Sequence, residues 1–107
     1  MAADLRGIAG VDRLIHEPAR LLILAVLQTV EEADFTYLLG ETGLSKGNLS
    51  SHLSKLEEAG YIAIEKTYKG KMPLTVCRLT PTGRRAFAAY RETLQQALRG
   101  MGDAAGV

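Results

Sequence analysis

The side chains in this sequence best suited to chemistry are short hydrogen-bonding groups set beside lysines. Between Gly43 and Gly60 the chain reads GLSKGNLSSHLSKLEEAG. Leu49, Leu53 and Leu56 recur at spacings of four and three, which places them with Leu44 on one face of a helix. The other face carries Lys46, Gly47, Asn48, Ser50, Ser51, Ser54 and Lys55, with no acid before Glu57. Such a face suits a negatively charged partner that comes close, although a polar outer face is also what water alone would select. A second basic group, Lys66, Lys69 and Lys71 with Tyr68 among them, follows further along. It tips the reading toward a polyanion, because clustered positive charge is costly unless counter-charge or water meets it.

The elements that must hold these groups can be read from cap and period signals. Ser45 is a good N-cap and Gly60 sits where a left-handed C-cap glycine belongs, bracketing a helix of about four turns. Before it, Thr36 can cap a short helix through Thr42 with Tyr37, Leu38 and Leu39 on its buried side, while Phe35 to Tyr37 can be a very short strand or the lead-in to that helix. Gly43 ends it. Two helices joined by a tight glycine turn form a helix-turn-helix pattern. Upstream, Pro18 fits the first turn of a helix to about Val30, with Glu17 pushed toward an extended conformation. Leu21, Leu22, Ile23, Leu24, Val26 and Leu27 leave this helix almost no polar side, so it is either central or shared with a second subunit. Glu31 to Asp34 reads as a polar loop.

After Gly60 the period changes to two. Ile62 and Ile64 alternate with Ala63, Glu65 and Thr67; the breaker cluster Lys69 to Pro73 follows; and Leu74 to Leu79 alternates again, so a hairpin with a lysine-rich tip is expected. Thr80 and Pro81 repeat the cap-then-proline signal and open a last helix to about Arg99, where Gly100 and Gly102 should break it. On it Phe87, Tyr90, Leu94, Ala97 and Met101 step by three and four, a coiled-coil seam that serves either the domain's own packing or, as we favour, pairing with a second copy. The expected dimer face is Leu14, Leu21 and Leu24 from the front of the chain with Phe87, Tyr90, Leu94 and Leu98 from the back.

The whole chain sets bounds. Its 107 residues fit one domain, expected over 11–100, with a flexible segment at 1–10 and a flexible tail at 101–107. Its longest apolar run, Leu21 to Leu27, is far short of a bilayer span, and the start lacks a signal-peptide pattern, so a cytosolic setting with no membrane partner is expected. A single cysteine, Cys77, cannot form an internal disulfide. The net charge of +1 is unevenly spread: residues 1–44 carry three basic and seven acidic side chains, residues 45–79 six and three, residues 80–107 four and two.

Other chemistry finds little support in the residues. There is no Ser-His-Asp order, no glycine-rich phosphate loop, and the pairs Glu31-Glu32 and Glu57-Glu58 read as solvated acids, so no catalytic site and no cofactor are expected. His16 and His52 lie on different elements, which argues against a metal site within one chain, and Cys77 reads as a strand residue.

The order helix, helix, helix, strand, basic turn, strand, helix is that of a winged helix, an α+β, mostly helical fold with a three-helix core, a two-stranded wing and a C-terminal helix used for dimerisation. The stretch from Leu44 to Phe87 resembles the DNA-binding core of MarR- and ArsR-like transcriptional regulators in its S-x-x-x-L-S-x-H-L-x-x-L-E-x-x-G-Y-I run at Ser45 to Ile62 and its L-T-x-x-G-R-x-A-F run at Leu79 to Phe87. With the EPARLLILAVL helix, the similarity spans about 14–95. It implies a homodimeric regulator of double-stranded DNA with one helix in the major groove and a wing near the minor groove. Carried onto this chain, Ser45, Lys46, Gly47, Asn48, Ser50, Ser51 and Lys55 would face DNA, Lys69 and Lys71 would sit on the wing, and His52 would be a half-buried helix residue near the domain surface. Asn and Ser reach base edges, lysines release counterions from phosphates, and Gly47 lets the backbone approach. The helix has no arginine, so specificity would lean on shape and phosphate contacts. Any small-molecule effector would sit at the dimer interface, between the first and last helices. The competing expectation is a winged helix used for protein assembly, in which the apolar first and last helices carry the function and the lysines are incidental.

Overall fold

The computed structural model describes residues 10–105. Its elements run α1 (Pro18–Gln28), β1 (Ala33–Asp34), α2 (Phe35–Thr42), α3 (Lys46–Glu58), β2 (Ile62–Lys69), β3 (Met72–Leu79) and α4 (Pro81–Ala105). The expected segment 1–10 lies, but for Gly10, outside the described residues, as does the end of the tail at 106–107.

Local chemistry accounts for most boundaries. Glu17 is extended at φ −146° and caps α1 with its own carboxylate, accepting from the N–H of Ala19 at 3.2 Å and of Arg20 at 2.8 Å. The helix stops at Gln28, short of Val30, because Thr29 turns its N–H and hydroxyl back to the Val26 carbonyl. The cap of α2 is Asp34 and not Thr36: its carboxylate accepts from Tyr37 N–H at 2.8 Å. Gly43, at φ +69°, takes the left-handed conformation that ends α2. Ser45 caps α3 as expected, accepting from Asn48 N–H at 3.1 Å. At the far end Gly60 has φ +78°, its N–H reaches Glu57 O and Tyr61 N–H reaches Leu56 O, which is a Schellman motif.

The sheet has three strands, in the order β1-β3-β2. The stretch expected as polar loop or lead-in supplies the third strand: Ala33 and Asp34 pair with Cys77 and Val76. The hairpin closes more tightly than its breaker cluster suggests, with Lys69 opposite Met72 and only Gly70 and Lys71 between them. Gly70 has φ +63° and no described non-glycine residue has positive φ, the sign pattern of a type II′ turn whose twist matches a hairpin. Pro73 stands in β3, opposite Tyr68 near the projecting end.

One apolar core joins all layers. Ile15, Ile23, Leu24, Leu27, Leu38, Leu49, Leu53, Leu56, Ile62, Cys77, Leu79, Phe87 and Tyr90 are buried in it. Helix α1 is apolar on most of its sides because α2, α3 and β3 all pack against it. Helix α4 is capped by Thr80, whose hydroxyl accepts from Gly83 N–H at 3.0 Å and donates to Gly60 O at 2.6 Å, tying its start to the end of α3. It continues through Gly100 and Gly102 to Ala105 instead of stopping near Arg99. A helix-interior glycine costs only about 1 kcal/mol relative to alanine, too little to end a long helix by itself.

Candidate nucleic-acid interface

Helix α3 is seated on the core by Leu49, Leu53 and Leu56, which leaves Lys46, Gly47, Asn48, Ser50, Ser51, Ser54 and Lys55 exposed. A Cβ added at Gly47 would meet nothing within 4 Å, so the protein's own packing does not require glycine there and the backbone lies open to a partner. One lone pair of the Ser45 hydroxyl is committed to the cap, while its proton remains available. Lys46, Gly47 and Asn48 form the first turn of the helix, where the N–H groups of Lys46 and Gly47, ahead of the capped Asn48 N–H, and the positive end of the dipole add to the lysine charge.

The hairpin projects a second basic surface. Lys71 sits in the turn, Lys69 flanks it, and both are exposed, as are Tyr68 and Met72 at 70% each. Lys66 is not at the tip. It pairs with Thr75 three rungs below Lys69, on the same side of the sheet as Ile62 and Ile64, facing the flank of α3. There Ser50 and Ser54 of α3 and Lys66 and Thr75 of the hairpin rim a notch of about 250 Å³ floored by Phe35, Leu53 and Ile64. Ser54, Lys66 and Thr75 stand outside the site set drawn from the sequence. The signal for Lys66 was present as a lysine continuing the Ile62-Ile64 alternation, but what it faces depends on how α3 packs.

This geometry, a capped polar helix held by a three-sided core beside a lysine-tipped hairpin, is matched by the family described as Winged helix DNA-binding domain, over residues 19–98. The chain belongs to that family. An uncharacterized protein of Methanocaldococcus jannaschii is 38% identical over 79 residues, covering 73% of this chain and 85% of its own. A transcriptional regulator homologue from Pyrococcus horikoshii OT3 superposes with a TM-score of 0.85 at 24% identity, covering 90% of this chain and 97% of that one. The repressor CouR, solved bound to a 23-mer DNA duplex, has a TM-score of 0.73 at 20% identity and covers 94% and 68%. Regulators of the MarR and ArsR families share the fold.

Behind the interface of this winged-helix protein lies a polar cluster that locks α3 to α1. His52 is a half-buried helix residue, as expected: its Nδ1 is 3.2 Å from an Arg20 guanidinium nitrogen and 3.7 Å from Glu17 Oε2. Arg20 also donates to the Leu14 carbonyl and lies 3.8 Å from Glu17. Burial raises the Glu17 carboxyl, but the Arg20 and Ala19 N–H groups, with His52 and Arg20 charge, outweigh it and hold the acid below its ordinary value. A second cluster, Asp12 accepting from Tyr61 OH and from Leu14 and Ile15 N–H, fixes the segment before α1.

The expected dimer residues separate into two groups. Leu24, Phe87 and Tyr90 are 0%, 4% and 3% exposed, so they belong to the protomer's own core and have no surface to offer a second copy. The seam spacing at the start of α4 serves intramolecular packing, with Tyr90 OH 2.8 Å from His16 Nδ1. Leu14, Leu21 and Leu94 are half-buried, and Leu98 is 54% and Met101 39% exposed, so an apolar stripe survives only on the later part of α4 and beside α1. Among the described residues no group of three or more His, Cys, Asp or Glu could hold a metal, and no helix is long and apolar enough to cross a membrane. Cys77 is buried; that burial, and secondarily the charge of Glu57, push its thiol up to about 11.

Proposed function

We propose that this protein is a DNA-binding transcriptional regulator that acts as a homodimer in the cytoplasm, placing α3 in the major groove and the β2–β3 wing on the backbone or in the minor groove. The observation that carries the reading is the pairing of two exposed basic elements: the acid-free first turns of α3, from Lys46 to Lys55, and the hairpin end with Lys69 and Lys71. The winged-helix family and the duplex-bound CouR of the same fold support it. Asn48 and Ser51 are the base-facing candidates, Ser50 faces the DNA beside them, and the lysines supply phosphate contacts. The second copy is met through Leu98, Met101 and the half-buried Leu14, Leu21 and Leu94. A small effector would lie in the cavity of about 220 Å³ lined by His16, Glu17, Pro18, Leu21 and Tyr90, where α1 meets α4.

The test is selection of bound duplexes from a random pool, followed by titration of a selected and an unrelated duplex at several salt concentrations. Affinity should fall steeply and log-linearly with salt. Lys71→Ala should weaken binding to both duplexes alike, and Asn48→Ala should change the preference between them. Absence of binding at low salt, or a flat salt dependence, would refute the reading and leave an assembly module built on the apolar α4 stripe.

A further inference from the structure

We infer that the notch between α3 and the hairpin is a seat for one phosphodiester of the DNA backbone, held by Ser50, Ser54, Lys66 and Thr75. The proposal rests on the DNA-binding reading and gives it a specific anchoring point away from the wing tip.

The four groups are brought together by backbone register. Ser50 and Ser54 are one helical turn apart and share a flank of α3. Lys66 and Thr75 are directly opposed across the β2–β3 ladder and share the face that meets that flank. All four carry hydrogen-bond donors, one of them a full positive charge, and among the described residues no carboxylate lines the notch. The next side chain on the same flank, Glu57, is an acid but is not among the residues that line the notch. A donor set without an acid excludes a cation and fits an oxyanion with several acceptor oxygens. The floor of Phe35, Leu53 and Ile64 keeps water away from one side and strengthens the polar contacts above it. At about 250 Å³ the notch has room for a phosphodiester and bridging water.

The location selects the polymer phosphate over a free one. Ser50 and Ser54 belong to the helix proposed to enter the groove, and Lys66 to the hairpin proposed to follow the backbone. A strand running from one to the other crosses the notch. Ser50 is thereby a phosphate contact that sets register, which leaves Asn48 and Ser51 as base readers. Lys66 and Thr75 become part of the interface although neither is at the wing tip.

The experiment is a scan of a selected duplex with single neutral methylphosphonate linkages, against the wild type, Lys66→Ala, Lys66→Arg, Ser50→Ala and Lys71→Ala. Lys66 and Ser50 are exposed, so the variants should keep the wild-type melting temperature. Lys66→Ala is expected to bind about tenfold more weakly on every sequence and to lower the salt slope by about one. It should lose its sensitivity to one particular methylphosphonate, and Lys66→Arg should restore that sensitivity. Ser50→Ala should weaken binding without changing the slope, because a hydroxyl releases no counterion. If Lys66→Ala keeps the wild-type slope and methylphosphonate profile while Lys71→Ala does not, the notch holds no phosphate and DNA binding still stands. If the wild type binds no duplex at low salt, both proposals fall.

Discussion

A methyl group placed on the α-carbon of Gly83 would lie 1.9 Å from the carbonyl oxygen of Tyr61. The obstructing atom is backbone. That oxygen accepts from Thr80 N–H at 3.1 Å, and the Tyr61 N–H closes the Schellman motif of α3, so neither side can yield without loosening the α3–α4 junction. Gly83 is thus the residue that lets the last helix start against the end of the proposed recognition helix. Gly83→Ala should destabilise the protein by about 3 kcal/mol, as overpacking against fixed backbone does. In a domain of this size that lowers the melting temperature by roughly 10–20 °C. A melting curve superimposable on that of the wild type would show that the junction relaxes freely.

Tyr61 makes a second tie, donating its hydroxyl to Asp12. Chiefly through this bond to a carboxylate, and further through burial and the Asp12 charge, its ionisation is pushed up to about 12. A raised value in the folded state means stability that is whole below pH 10 and lost as the pH climbs from there toward 12. Tyr61→Phe should cost about 1–2 kcal/mol near neutrality and should flatten this alkaline limb. Urea titrations at pH 8, 10 and 11.5 would show whether the two proteins converge.

Glu17 has the opposite sign. Its folded-state value lies below the ordinary carboxyl value of 4.5, so its contribution is present above that value and fades as the pH falls through the lower one. Glu17→Gln should lose roughly 1 kcal/mol at pH 7, the scale of a helix N-cap. The difference should shrink to nothing in acid, where the protonated wild-type side chain resembles glutamine. A gap that persists undiminished at pH 3 would mean that the carboxylate charge plays no part in the cap.

Cys77 should be inert in the folded protein. It is fully buried between β1 and β2 and its thiol is held near 11, so little thiolate exists at neutral pH. A thiol-reactive dye should label it only as fast as the protein unfolds, with the rate rising in parallel with urea-induced unfolding. Rapid stoichiometric labelling in native buffer would overturn this.

Two leucines separate the core from the proposed dimer face. Leu24→Ala should cost about 2–5 kcal/mol whatever the protein concentration, the usual cost of a cavity in a packed interior. Leu98→Asp, on the exposed stripe of α4, should leave the fold intact and shift the sedimentation coefficient from dimer to monomer. If Leu98→Asp sediments like the wild type, α4 beyond Leu94 is not the dimer contact.

The sequence alone determined what is encoded within a few residues. Ser45 and Gly60 mark the ends of α3, Gly43 closes α2, the four-and-three spacing of Leu49, Leu53 and Leu56 orients the polar face, and alternation around Gly70 makes the hairpin. These features depend on a local cap, a positive φ or a period, all of which a short segment carries by itself. What only the tertiary structure decided involves partners distant in sequence. A two-residue strand has no period, so the pairing of Ala33 and Asp34 with β3 becomes visible only once α1 and α2 bring them there, and with it the choice of Asp34 over Thr36 as the cap. The three-four spacing of Phe87 and Tyr90 fits a dimer seam or a domain core equally well, and the packing of α4 on the rest of the protomer chose the core. Lys66 and Gly83 took their meaning from neighbours on α3 and at Tyr61, since a side chain's type is local but the surface it meets is set by how the helices close on the sheet.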